Sequence, residues 1–179
     1  MSVRKLAVAA PLWLAAGMDP AYLPPKPAPN VLHRPGETTV FSFETTSGKA
    51  ASLCEGPQHA YLVYRFGTAT KTELQYPAVL DARSWRKFIY SAYHRGGGVA
   101  NAGMEHYTLS FQNGGAEYTL TDHTEAYLMK NKEENYRREV SLDVVLNGKP
   151  LTVTVRQASV NGDLFLSDEQ RERVKIEEE

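Results

Sequence analysis

The reading of the fold turns on residues 138–157, "REVSLDVVLNGKPLTVTVRQ". Val140, Leu142, Val144 and Leu146 recur at every second position, with Ser141 and Asp143 between them. Successive side chains of a strand point to opposite faces of the pleat, so this period predicts a strand with one buried face. Asn147 and Gly148 supply the positive φ values that a two-residue hairpin turn needs. Beyond the turn Leu151, Val153 and Val155 alternate again. The stretch predicts a β-hairpin.

The same signal runs through the chain upstream. Residues 38–45, "TTVFSFET", and 49–55, "KAASLCE", read as strands bounded by Ser47-Gly48 and Gly56-Pro57. Residues 60–67, "AYLVYRFG", are apolar on both faces and suit an interior strand. In "KTELQYP" (71–77) Thr72, Leu74 and Tyr76 share a face, and Pro77, which has no donor for the ladder, ends the run. "EHYTLSFQ" (105–112) and "AEYTLTDH" (116–123) alternate around an Asn113-Gly114-Gly115 turn. The aromatic run 84–94, "SWRKFIYSAYH", favours a strand, and the charged run 124–136, "TEAYLMKNKEENY", a short helix or an irregular excursion. Ser167 with Gln170 resembles a capping box opening a short C-terminal helix. The expectation is a mainly β protein, an antiparallel β-barrel or β-sandwich of about eight strands with a short C-terminal helix.

Arg4 and Lys5 precede an apolar run of 13 residues, 6–18, closing on Ala15, Ala16 and Gly17. That is the layout of a secretory signal and too short for a stable membrane span, which takes about 20 residues. Pro20, Pro24, Pro25, Pro27, Pro29 and Pro35 follow. The predicted organisation is a signal-like segment over 1–17, a proline-rich linker without core over 18–36 and one β-domain over 37–179, in a periplasmic or secreted protein. Lys plus Arg number 20 against 21 Asp plus Glu, so no global charge draws the chain to nucleic acid. Cys54 is the only cysteine; no internal disulfide forms, and a free thiol buried in a strand is the expectation.

The candidate binding loop is "YHRGGGVANAGMEHY", residues 93–107. Its glycines lack both the Lys-Ser/Thr ending of a P-loop and the spacing of a dinucleotide fingerprint, and a strand follows them, so phosphate binding is not indicated and no cofactor is expected. Tyr93, His94, Arg95, Gly96, Gly97, Gly98, Asn101 and Tyr107 form the candidate contact set, Arg95 for its planar guanidinium and the tyrosines as interface residues. No two of the five histidines stand at a ligand spacing; His94, His106 and His123 meet only if their strands pair suitably, with Glu105 or Asp122 nearby. No G-x-S-x-G elbow supports a nucleophile, and Glu105 with Asp122 is the carboxylate pair on offer for glycoside hydrolysis.

The blocks "SLCEG", "YLVYRFG", "ELQYP", "SAYHRGGG" and "LSFQNG", spread over about residues 41–118, resemble a group of small exported bacterial proteins. More loosely, an exported small β-protein with a glycine loop leading into a tyrosine is similar to the periplasmic lysozyme inhibitors of the membrane-bound/C-type class. Those insert a Ser-Gly-x-x-Tyr loop into the cleft of their enzyme. Here Ala102 stands in the serine position, and Gly103 and Tyr107 are one residue further apart than in that motif. The resemblance implies a protein partner. The expected function is an exported, non-catalytic inhibitor or immunity protein against a cell-wall hydrolase or a toxin. The alternatives are a metal-dependent hydrolase or a small-ligand or carbohydrate binder using the His94, His106 and His123 region, and a structural part of an envelope or secretion assembly. Oligomeric state is left open by the residues.

Overall fold

The computed structural model describes residues 32–177. The signal-like segment 1–17 and most of the linker 18–36 lie outside the described residues. The strands are β1 (Thr38–Glu44), β2 (Ala50–Glu55), β3 (Leu62–Thr68), β4 (Lys71–Tyr76), β5 (Ile89–Arg95), β6 (Met104–Asn113), β7 (Ala116–Leu128), β8 (Glu134–Leu146), β9 (Lys149–Val153), β10 (Asn161–Gly162) and β11 (Lys175–Ile176). The helix α1 (Asp168–Arg171) carries the expected capping box, with Ser167 and Gln170 serving each other's backbone. No helix among the described residues is long and apolar enough to cross a membrane.

Five strands form one sheet in the order β10-β1-β2-β3-β4, and six form the other in the order β11-β5-β6-β7-β8-β9. All neighbours are antiparallel except β11 on β5. The facing sides of the two sheets build one core, with Phe41, Phe43, Leu53, Leu62 and Tyr64 from the smaller sheet against Tyr90, Leu109, Phe111, Leu120 and Leu142 from the larger. The molecule is a β-sandwich. Beyond β9 the chain leaves the large sheet and bonds to β1, through Thr46 N to Thr154 O (2.9 Å) and Arg156 N to Glu44 O (2.8 Å), which ties the sheets at one corner.

Three expectations change. The charged run 124–136 is neither helix nor excursion: β7 continues through Leu128, turns at residues 129–133 and returns as β8 from Glu134. Its alternation is hidden because the end of this hairpin is solvent-exposed on most positions, where charged side chains are as acceptable as apolar ones. In the run 84–94 only Ile89 onward is strand; Ala82–Lys87 is a 3₁₀ segment whose N-terminus is capped by the Asp81 carboxylate accepting from Arg83 N. The last part of the linker also docks. Leu32 is buried and its N–H donates to Ser52 Oγ at 2.9 Å.

That docking seals the outer side of the small sheet around an ion pair. Arg65 is fully buried in β3. Its guanidinium donates to both carboxylate oxygens of Glu37, at 2.6 and 2.8 Å, and also to Leu32 O and Gln75 Oε1. Tyr61 Oη and the Arg34 N–H donate to the same carboxylate. Cys54 lies buried in β2 as expected, and burial pushes its thiol up to about 11, so it stays protonated at neutral pH.

On the core side, Phe111 stacks on Tyr118 (4.8 Å between centroids) and on Tyr76 (4.4 Å), with Tyr64 tilted against it at 5.1 Å. The Tyr64 hydroxyl is buried with no hydrogen-bond partner among the described residues, and burial holds its pKa above the usual tyrosine range. An unsatisfied buried hydroxyl costs about 1–3 kcal/mol, so Tyr64→Phe is expected to raise stability by about 1 kcal/mol, read as a higher urea midpoint.

Candidate functional site

The large sheet is longer than the small one, and its upper half is where the site lies. Register sets the side chains in cross-strand rows. Tyr90, Leu109, Leu120 and Leu142 make a buried row under the small sheet. The next row on that face is Ala92, Tyr107, Asp122 and Val140, and the one above it His94, Glu105, Thr124 and Arg138. Apart from Val140, which belongs to the core, these two rows floor a groove of about 730 Å³.

The segment after β10 forms one wall, contributing Asp163, Phe165 and Arg171. It is held down by the floor itself. Asp122 Oδ2 accepts the Leu164 N–H (3.1 Å), Arg138 Nη2 donates to Gly162 O (2.8 Å), and Tyr90 Oη accepts the Leu166 N–H (3.3 Å). Phe165 meets the Tyr107 ring edge to face at 5.7 Å, and the Arg171 guanidinium lies over Phe165 at 5.5 Å while pairing with Asp168.

Residues 96–103 form the rim at the far end, around a continuation of the groove of about 270 Å³ that shares His94, Glu105 and Thr124 with the first part. The loop is stapled by its own polar groups. Asn101 Nδ2 donates to Gly96 O (2.9 Å), Arg95 Nε to Ala102 O (2.9 Å), and the Val99 N–H to Glu134 Oε2 (3.0 Å). Gly98 has φ +55, and a Cβ there would collide with the Glu134 carboxylate, so a side chain at this position would be strained and would displace the staple.

Hydrogen bonds from Tyr136 and then from the Val99 amide hold the Glu134 pKa below the usual carboxylate range. The staple is therefore complete above an ordinary carboxylate pKa of about 4.3 and is lost as the pH falls from there through the lower folded value. Glu134→Ala is expected to speed hydrogen exchange at the Val99 amide at neutral pH while leaving exchange in β6 and β7 unchanged.

The sequence candidates separate onto different parts of this architecture. His94 and Tyr107 lie in the groove, and Gly96, Gly97, Gly98 and Arg95 line its rim. Arg95 and Asn101 spend their polar groups on holding the loop. Tyr93 alternates with His94 and faces the other side of the sheet, where it is 46% exposed. His106 and His123 pair with each other on that other side as well, so the register keeps them from His94. Among the described residues no group of three or more His, Cys, Asp or Glu is placed to hold a metal. Thr124, Arg138, Tyr136, Asp163, Phe165 and Arg171 were not singled out by their local sequence; they reach the groove from β7, β8 and the segment after β10.

The chemistry on offer is recognition more than proton transfer. The Asp122 carboxylate accepts from Arg138 Nε (2.7 Å), Arg138 Nη2 (2.8 Å) and Leu164 N, which commits it to structure and takes it out of the pair with Glu105 that glycoside hydrolysis would use. Burial, and then the charges of Glu105, Asp122 and Asp163, raise the Tyr107 pKa, so its hydroxyl is a fixed neutral donor. Glu105 stands beside the exposed His94, with His94 Nδ1 3.4 Å from Oε1. Among the described residues neither Glu105 nor Asp163 forms an ion pair with an arginine, although the Asp163 charge is felt by Arg138, and both stand beside an aromatic corner. No family model, curated protein or solved structure matches this chain.

Proposed function

We propose that this protein is an exported, non-catalytic binding protein that takes a segment of a partner protein into the groove, in its sharpest form an inhibitor or immunity protein for a cell-wall hydrolase or secreted toxin. The observation that carries this reading is the groove on the upper half of the large sheet, floored by the open row His94, Glu105, Thr124 and Arg138 and rimmed by a glycine loop held by hydrogen bonds. A pre-organised rim loses little entropy on binding, and that favours a tight complex over a transient one. Tyr107 and Phe165 supply a rigid aromatic anchor of the kind that dominates interface energetics. Glu105 and Asp163 select a lysine or arginine on the partner. The basic, apolar and small-residue order of residues 4–17 supports export.

The test is a peptidoglycan lysis assay with a panel of cell-wall hydrolases, using the purified chain and a Thr124→Arg variant. Thr124 is a half-exposed floor position, so a long cation there fills the groove without touching the core. Wild-type protein is expected to slow at least one hydrolase, and the variant to lose that effect by tenfold or more. Equal inhibition by both proteins, or none by either, sinks the reading.

A further inference from the structure

The face of the large sheet turned away from the groove carries its own cross-strand row: Tyr93, His106, His123 and Glu139, one from each of β5 to β8. His106 and His123 are direct partners, with ring centroids 5.4 Å apart and planes at 65°. Their Nδ1 atoms face each other at 3.4 Å. Two nitrogens each about 2.0–2.1 Å from a tetrahedral zinc ion stand roughly 3.3–3.4 Å apart, so the observed separation is the bite of such an ion.

A second observation points the same way. The opposite nitrogen of the His123 ring, Nε2, lies 3.8 Å from Glu125 Oε2. At that separation the two groups are not hydrogen-bonded, and the carboxylate acts only as a nearby negative charge, which favours a cation at the histidine pair. Glu125 is itself held by Arg137, its cross-strand neighbour. Both imidazoles are half-buried, enough to fix the rings and open enough to admit an ion from solution. Strand pairing, rather than loop conformation, sets the geometry, and rigid elements make the more precise sites.

We propose that His106 and His123 form a zinc-binding site, ligating through both Nδ1 atoms with water completing the shell. The site is independent of the groove, which lies on the other side of the same strands. Imidazole ligands also accept copper and nickel, so selectivity comes from geometry and metal supply.

The test is isothermal titration of zinc chloride into the tag-free full chain, with thermal denaturation in parallel. One saturable equivalent is expected, with a melting temperature that rises with zinc. His106→Ala and His123→Ala are each expected to abolish both effects. His94→Ala, on the opposite face, is expected to leave them unchanged. If either alanine variant loses its fold by circular dichroism, His106→Gln and His123→Gln replace it. Absence of saturable zinc binding, or binding that survives in both histidine variants, overturns the site and leaves a hydrogen-bonded histidine pair.

Discussion

Arg65→Ala is expected to lower the stability of the domain by about 3–5 kcal/mol, because removing one member of a buried ion pair strands the other charge away from water. The Glu37 and Arg65 side chains are 0% and 1% exposed, so little solvent is at hand to relieve the stranded carboxylate. For a domain of this size the change corresponds to a fall in Tm of roughly 10 °C or more. The double variant Glu37→Leu/Arg65→Leu leaves no lone charge and is expected to be more stable than Arg65→Ala, as apolar replacement of a whole buried pair often is. Thermal melts followed by circular dichroism decide the point; a double variant as unstable as the single one would show that packing, and not charge, is at stake.

The same pair makes an acid-sensitive contribution. Burial on its own raises the Glu37 pKa, but hydrogen bonds from Arg65, the Arg34 amide and Tyr61, together with the Arg65 charge, outweigh it and the net shift is downward. A depressed carboxylate stabilises the fold fully above its unfolded pKa of about 4.3, and that contribution is lost as the pH falls from there through the folded value. Stability measured below about pH 4.5 is therefore expected to decline less steeply in the Glu37→Leu/Arg65→Leu variant than in the wild type.

Asp122→Ala is expected to cost about 2–4 kcal/mol and, in addition, to open the groove. Its carboxylate is 4% exposed and meets both Arg138 and the Leu164 N–H, whereas Arg138 remains 38% exposed and partly hydrated, which keeps the cost below that at Arg65. Loss of the carboxylate leaves the Leu164 amide without its acceptor and frees Arg138 from its hold on Gly162 O. Hydrogen exchange is expected to accelerate at Leu164, with the interior of β2 and β3 unaffected. Unchanged protection at Leu164 would mean that packing of Leu164 and Leu166 alone secures the wall.

The parts of the fold legible in the sequence are those where one face of a strand is buried and the other is wet. The hairpin over 138–153 and the pair 105–123 show this in Leu142, Val144, Leu109 and Leu120. The tip of the β7–β8 hairpin gave no such signal, because most of its positions are exposed on both faces. Trp85 read as a strand residue on propensity alone, although Asp81 two positions before Arg83 is a capping signal that competes with it. Arg65 inside the apolar run "LVYRFG" was the one local sign of the ion pair: an arginine in a strand buried on both faces needs a buried anion. Its partner lies 28 positions away, and no local pattern names it.

The groove was half legible for a similar reason. Its rim and three of its floor residues, His94, Glu105 and Tyr107, lie within one contiguous stretch, 93–107. Which of those residues share a face depends on the register of β5 on β6, and that is fixed by long-range packing. Asp163, Phe165 and Arg171 come from a segment with no periodic signature, and their place is set by long-range contacts: Phe165 on Tyr107, and the Leu164 and Leu166 amides on Asp122 and Tyr90.

The pairing of β10 with β1 and of β11 with β5 has a consequence for how the chain reaches this state. Residues 161–176 supply an edge strand to each sheet, and they are synthesised after β1 to β9. Until they emerge, β1 and β5 present unpaired backbone to their surroundings, and the groove has no wall. The nascent chain thus stays incomplete on both sheets at once, then finishes both with a single late segment. A stalled or shortened product that lacks this segment would expose two sticky edges together, which makes it a substrate for chaperones and proteases before it could ever act as a binder.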